Sequence, residues 1–157
     1  MVDSHSGFVL CSLFFVRSPE ALMEKMIINP PELAPPRGFN HGILTSGGKL
    51  LFLAGQDASD AAGHIVAPGD LVGQCAQVLH NLHAVVGAAG GAMQDIVKLN
   101  IFVADRDAYR ANLKPIGQLF REHFGGYYPA MALFEIARFF QAEALIEIEG
   151  FAVIREA

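Results

Sequence analysis

The sequence has no tryptophan, two cysteines among 157 residues, and only 17% charged side chains. Cys11 and Cys75 form neither a disulfide framework nor a metal-ligand spacing. A reducing compartment, the cytoplasm, is therefore the expected location, and Cys75 reads as a small core residue rather than a nucleophile. No cluster of Lys and Arg exists, and the formal net charge is −5, the opposite balance to that of most nucleic-acid binders. No membrane association is expected either, because the apolar run "GFVLCSLFFV", Gly7 to Val16, is too short to span a bilayer. As a signal peptide it fails on its flanks, since Asp3 stands in a head without Lys or Arg and no small-x-small site follows. What the chain has in quantity is apolar residues, at 52%, which excludes disorder as a whole. Its length suits one domain with a real core.

Residues 1 to 25 read as an extension, disordered or loosely docked, with Met23 and Met26 as alternative starts; residues 26–157 form the domain. "NPPELAPPRGFNHG" (Asn29 to Gly42) is too rich in Pro and Gly for a helix or a central strand. "ILTSGGKLLFLAGQ" predicts a hairpin turning at Ser46-Gly47-Gly48. Asp70 is a good N-cap, and Leu71, Cys75, Val78, Leu82, Val85 and Ala89 then draw one helical stripe that ends at Gly90-Gly91. "DIVKLNIFVAD" is a strand with Val97, Leu99, Ile101 and Val103 on one side. "RDAYRANLKPIGQLFREHFGG" is helical, kinked or split near Pro115. "PAMALFEIARF" and "EALIEIEGFAVI" supply two last strands, so the expected order is β-β-α-β-α-β-β, an α+β domain with helices on one face of a sheet.

Few residue patterns here carry chemistry. His80 and His83, three apart on a helix, have metal-ligand spacing but no third ligand near in sequence, and a solvated helix face explains them better. No metal is expected. The two glycine pairs are turns, not phosphate loops. The last strand is more informative. Ala144, Ile146, Ile148, Gly150, Ala152 and Ile154 make one apolar side, while Glu147 and Glu149 share the other with Leu145, Phe151 and Val153. An open face in water is the plain explanation for two carboxylates there. Their apolar company favours a different one, a seam against another subunit where one Glu positions water or moves a proton.

"FLAGQ" (Phe52 to Gln56), "QVLHNLHAVVGAAGG", "DIVKLNIFVAD", "PAMALFEIARF" and "ALIEIEGFAV" together resemble the RidA family, also called YjgF or L-PSP, from about Ile27 to Arg155. The resemblance implies a chorismate-mutase-like fold with a mixed sheet, and a homotrimer whose sheets form a central barrel with three small-molecule clefts between subunits. It implies cofactor-independent hydrolysis of enamines and imines derived from amino acids. An arginine in a "PAR" motif grips the substrate carboxylate and the first Glu of "EIE" orients water. Carried over residue by residue, Glu147 matches that Glu, Gly55 a glycine whose backbone lines the pocket, and Asn112 the family's helix asparagine. Phe39 takes the place of a tyrosine donated by the neighbouring subunit, and Leu133 joins the substrate-binding positions.

Met131 is the departure, because "PAM" stands where the resemblance expects "PAR". A guanidinium holds a carboxylate through two charge-assisted hydrogen bonds, each worth roughly 1.5–3 kcal/mol, and a thioether replaces neither. A pocket with Glu147 and no cation should disfavour anionic guests. Arg138, at an odd offset, faces away along the strand; Arg37, near Phe39, is the remaining stand-in, with nothing in the sequence to fix its reach. Two functions stay open: a hydrolase of C=N bonds with altered preference, or a trimeric binding module without chemistry. The family's older label of ribonuclease or translation inhibitor fits poorly with an acidic chain that lacks a basic patch.

Overall fold

The computed structural model describes residues 23–156; the extension expected over residues 1 to 25 lies outside it but for its last three residues. Among these residues six strands and three α-helices follow one another, with one 3-10 turn at Met93–Asp95: β1 (Glu24–Ile28), β2 (Gly42–Ser46), β3 (Lys49–Gln56), α1 (Leu71–Ala88), β4 (Ile96–Val103), α2 (Arg106–Ala111), α3 (Leu113–Phe124), β5 (Ala130–Glu135) and β6 (Ile146–Ile154). The main sheet has the order β3-β6-β4-β5. It is mixed, since β5 runs parallel to β4 while the other ladders are antiparallel. Helix α1 packs on β6 and β3 and against α3, so the helices lie on one face, as expected.

The predicted hairpin at Gly47-Gly48 does not form. β2 pairs with β1, a strand that the sequence reading missed, and β3 pairs with β6. The turn itself explains the divergence. Gly47 and Gly48 sit at φ +69° and +77°, and a Cβ at Gly48 would lie 2.7 Å from Val153 Cγ1 and 2.9 Å from the Ile154 carbonyl. The turn is thus packed against the end of β6, and the chain changes ladder there instead of folding back.

Local signals account for the rest. Asp70 caps α1 by accepting from the Val72 and Gly73 amides, both at 3.0 Å. The buried stripe of α1 runs through Leu71, Cys75, Val78, Leu79, Leu82 and Val86. Val85 is half-buried and Ala89 exposed, because a straight helix drifts off a 4-3-4 count toward the next residue. Pro115 falls in the first turn of α3, where a missing N–H costs little, but its ring would clash with the Ala111 carbonyl; the helix breaks at Asn112. On β4 the buried set begins with Ile96, and Val97 is displaced by a bulge in the ladder to β6. Every second residue of β6 from Ile146 to Ile154 is buried.

One polar side chain lies fully within this core. Gln74 on α1 donates to the Glu143 carbonyl at 2.8 Å and accepts from the Leu145 amide at 2.7 Å, which fixes the entry into β6. Its hydrogen bonds are made in full, as burial demands. Cys75 is buried beside it in sequence, and burial pushes its thiol up to about 12, so it is an unreactive core residue. Among the described residues, no helix is long and apolar enough to cross a membrane, and no cluster of ligating side chains could hold a metal ion.

Candidate functional site

Strand register sorts the candidate residues onto two faces. Met131 stands opposite Leu99, and Leu133 opposite Ile101, on the face covered by helices. Between edge strand β5, α3 and the loop before β2 lies a cavity of about 520 Å³. Met131, Leu133 and Ile101 form its floor; Ile116, Gly117 and Phe120 of α3 form a wall. The loop adds Phe39 and Arg37, and its position is fixed beside β5. Asn40 donates from its amide to the Pro129 carbonyl at 3.0 Å and from Nδ2 to the Tyr128 carbonyl at 2.6 Å. Asn29 donates in turn to Asn40 Oδ1 at 2.8 Å.

The cavity carries positive charge, including Arg37, the stand-in that the sequence left open. Arg37 and Arg121 both line it, both are solvent-exposed, and no carboxylate among the described residues joins them. Neither arginine forms an ion pair among the described residues. Tyr109 contributes a phenol whose pKa is pushed up, first by burial and then by the nearby Cys75, so it remains a protonated donor at all ordinary pH. Arg121 is the residue that sequence reasoning missed. Its one local signal was Gly117, a glycine inside a helix four residues earlier, where a Cβ would meet Arg121 Nη1 at 3.5 Å.

Glu147 lies on the other face of the sheet. Its ladder partner is Phe102, whose ring stacks on Phe134 at 5.8 Å. Gly55 belongs here too. The ladder of β3 with β6 slips by one residue between Leu53 and Gln56, and the bulge turns Gly55 onto the Glu147 carboxylate so closely that any Cβ would overlap it. Burial raises the pKa of Glu147, with further contributions from the negative charges of Asp57 and Glu149. The two glutamates are not equivalent. Glu149 accepts from Asn100 Nδ2 at 3.1 Å, whereas Glu147 has no such partner among the described residues. Around them the face is apolar and, among the described residues, uncovered: Phe52 is 69% exposed and Phe134 48%, with Leu50 and Phe151 beside them.

Within one chain, then, Phe39, Met131 and Leu133 come together, and Gly55 and Glu147 come together, but the two groups are separated by the sheet. Phe39 shares its cavity with Met131 of the same chain. Asn112 joins neither group. Its side chain donates to the Ala108 carbonyl at 2.9 Å and closes α2, while Leu113 next to it reaches the cavity. Arg138 is exposed beyond the end of β5. His80 and His83 are exposed on α1; the His83 ring lies 6.4 Å from that of His123.

A four-stranded mixed sheet with helices on one side, two glutamates on its open face and a cavity at the edge strand is the architecture of the small α+β proteins of the Rid class. The family model described as endoribonuclease L-PSP matches residues 31–154, and the chain belongs to this family, also known as Rid or YjgF. A RutC family protein of Synechocystis is 34% identical over 131 residues, covering 83% of this chain and 96% of the relative. A RutC family protein of Pyrococcus horikoshii is 32% identical over 105 residues, 67% of this chain and 79% of the relative. Among solved structures, a member of the conserved Rid protein family from Yersinia pestis, YyfB, superposes with a TM-score of 0.75 at 34% identity. That superposition covers 83% of this chain and 98% of the other. The fold is chorismate-mutase-like.

Proposed function

We propose that this protein hydrolyses C=N bonds of small enamines or imines in a cleft completed by further copies of itself, a homotrimer in the simplest form. The observation that carries the reading is Glu147. It is a half-buried carboxylate with raised proton affinity, no hydrogen-bond partner among the described residues and a glycine backbone against it. Such a group suits general-base work, since a base functions best when its pKa approaches the working pH. Water loses a proton to Glu147 as it adds to the C=N carbon. Glu147 passes that proton to the nitrogen, which gives a carbinolamine. It then takes the hydroxyl proton as the C=O bond forms and delivers it to the nitrogen as the C–N bond breaks, so ammonia leaves, a carbonyl product remains and Glu147 is again a carboxylate.

A second copy enters the reading because one chain holds only half of what the chemistry needs. The apolar open face calls for a cover, and a neighbour seated on it would bring its Met131 cavity toward Glu147. Because Met131 supplies no guanidinium at the place where the family resemblance expects one, short 2-imino acids should be poor substrates.

Ammonia release tests this directly. Wild-type protein should turn over neutral imines, and Glu147→Gln should lose that turnover by a factor of about 10²–10⁴. Met131→Arg should gain activity on 2-iminobutyrate. Turnover of neutral imines that survives in Glu147→Gln would remove the reading. A second function, a binding module without chemistry, is favoured by Phe39 and Met131, which bring no polar group to the cavity; it predicts ligand binding with no ammonia release from any imine.

A further inference from the structure

The cavity at β5 has a composition unlike that of the chain around it. The sequence carries 16 acidic and 11 basic residues, yet among the described residues the cavity is lined by two arginines and no acid. The arginines come from independent elements, Arg37 from the loop before β2 and Arg121 from the last turn of α3. A basic residue near a helix C-terminus complements the helix dipole, which accounts for Arg121 alone. It does not account for Arg37, nor for Gly117, where the helix gives up about 1 kcal/mol relative to alanine and leaves space beneath the Arg121 guanidinium. Deeper in, Met131, Ile101, Ile116 and Phe120 offer no polar atom able to hold charge.

We propose that this cavity binds a carboxylate attached to an extended apolar body, with Arg37 and Arg121 gripping the anion at the solvent side and the Met131 wall taking the hydrocarbon. The inference deepens the catalytic reading of the same cavity by naming its substrate class: anions whose charge is separated from the reacting carbon by an apolar segment. The loss of a guanidinium at position 131 then moves the anion site outward and lengthens the guest, instead of excluding anions. Two arginines from different elements also suit a planar, two-oxygen acceptor better than a point charge.

Calorimetric titration of the full chain with hexanoate, hexanamide, acetate and inorganic phosphate reads this without any turnover. Hexanoate should bind; hexanamide should bind about tenfold more weakly or less, for want of charge-assisted hydrogen bonds. Acetate should be weaker still, since each buried methylene contributes roughly fourfold. Arg37→Gln and Arg121→Gln should each weaken hexanoate by several-fold and leave hexanamide unchanged, and Gly117→Leu should abolish binding of both by filling the cavity. Hexanoate binding by wild-type protein that releases no ammonia from any imine would keep this inference and remove the catalytic one, which separates the two. Equal affinity for acid and amide would overturn the assignment, as would an unchanged hexanoate affinity in both arginine variants or phosphate binding as tight as hexanoate. Unfolding curves of the arginine variants should match the wild type, so that a loss of binding reports on contacts and not on folding.

Discussion

Glu147 is costly to the fold in the form that the proposed chemistry uses. Burial and the negative charges of Asp57 and Glu149 raise its folded pKa above the unfolded value. In the window between the two, the folded state holds the proton and the unfolded state does not, so stability falls as pH rises through it and then levels off. Glu147→Gln should therefore be more stable than wild type at neutral pH, with the difference vanishing below pH 4; thermal unfolding across pH 3 to 8 checks it. A flat difference across that range would mean that the carboxylate is fully solvated. Position 147 was legible in the sequence because alternation on a strand shows which residues share a face. Its proximity to Gly55 was not, since that contact depends on a one-residue slip in a ladder between strands far apart in the chain. Arg121 was hidden for a similar reason: nothing in local spacing says that the end of α3 lies over the cavity that Arg37 and Met131 share.

At the scale of elements, strongly periodic segments were the readable ones. Helix α1 with its Asp70 cap, the split near Pro115 and the alternation of β6 all follow from forces within a dozen residues. Pairing partners did not follow. A glycine pair between two apolar runs is an ordinary hairpin signal, and here steric fit against Val153 and Ile154 overrides it. Gly48→Ala should cost at least about 1–2 kcal/mol, from the left-handed backbone and from overlap with the Ile154 carbonyl. Denaturant melts measure that loss; a neutral outcome would mean that the turn relaxes easily. Gly117→Ala points the other way. With the new methyl at ordinary contact distance from Arg121, the helix should gain up to about 1 kcal/mol while the cavity stays open. Gln74→Leu belongs with the destabilising changes, since it leaves the partly buried Leu145 amide and Glu143 carbonyl without their partner, at about 1–3 kcal/mol in all.

For the whole molecule, the open sheet face sets the expectation. A patch with Phe52, Phe134, Leu50 and Phe151 in contact with water is unusual for a protein that works alone. Sedimentation should return a mass of several chains, and Phe52→Glu should reduce it to one. A wild-type mass equal to one chain would leave Glu147 facing water and remove the cleft. Loss of assembly and loss of ammonia release should then go together in Phe52→Glu.

The placement of Glu147 and Met131 on opposite sides of one sheet has a genetic consequence. Two defective versions of this protein, one carrying Glu147→Gln and the other with its cavity blocked by Gly117→Leu, carry their lesions in different halves of the proposed seam. Unfolded together and refolded as a mixture, they should rebuild about one intact seam in four by random association, and recover a corresponding share of turnover that neither shows by itself.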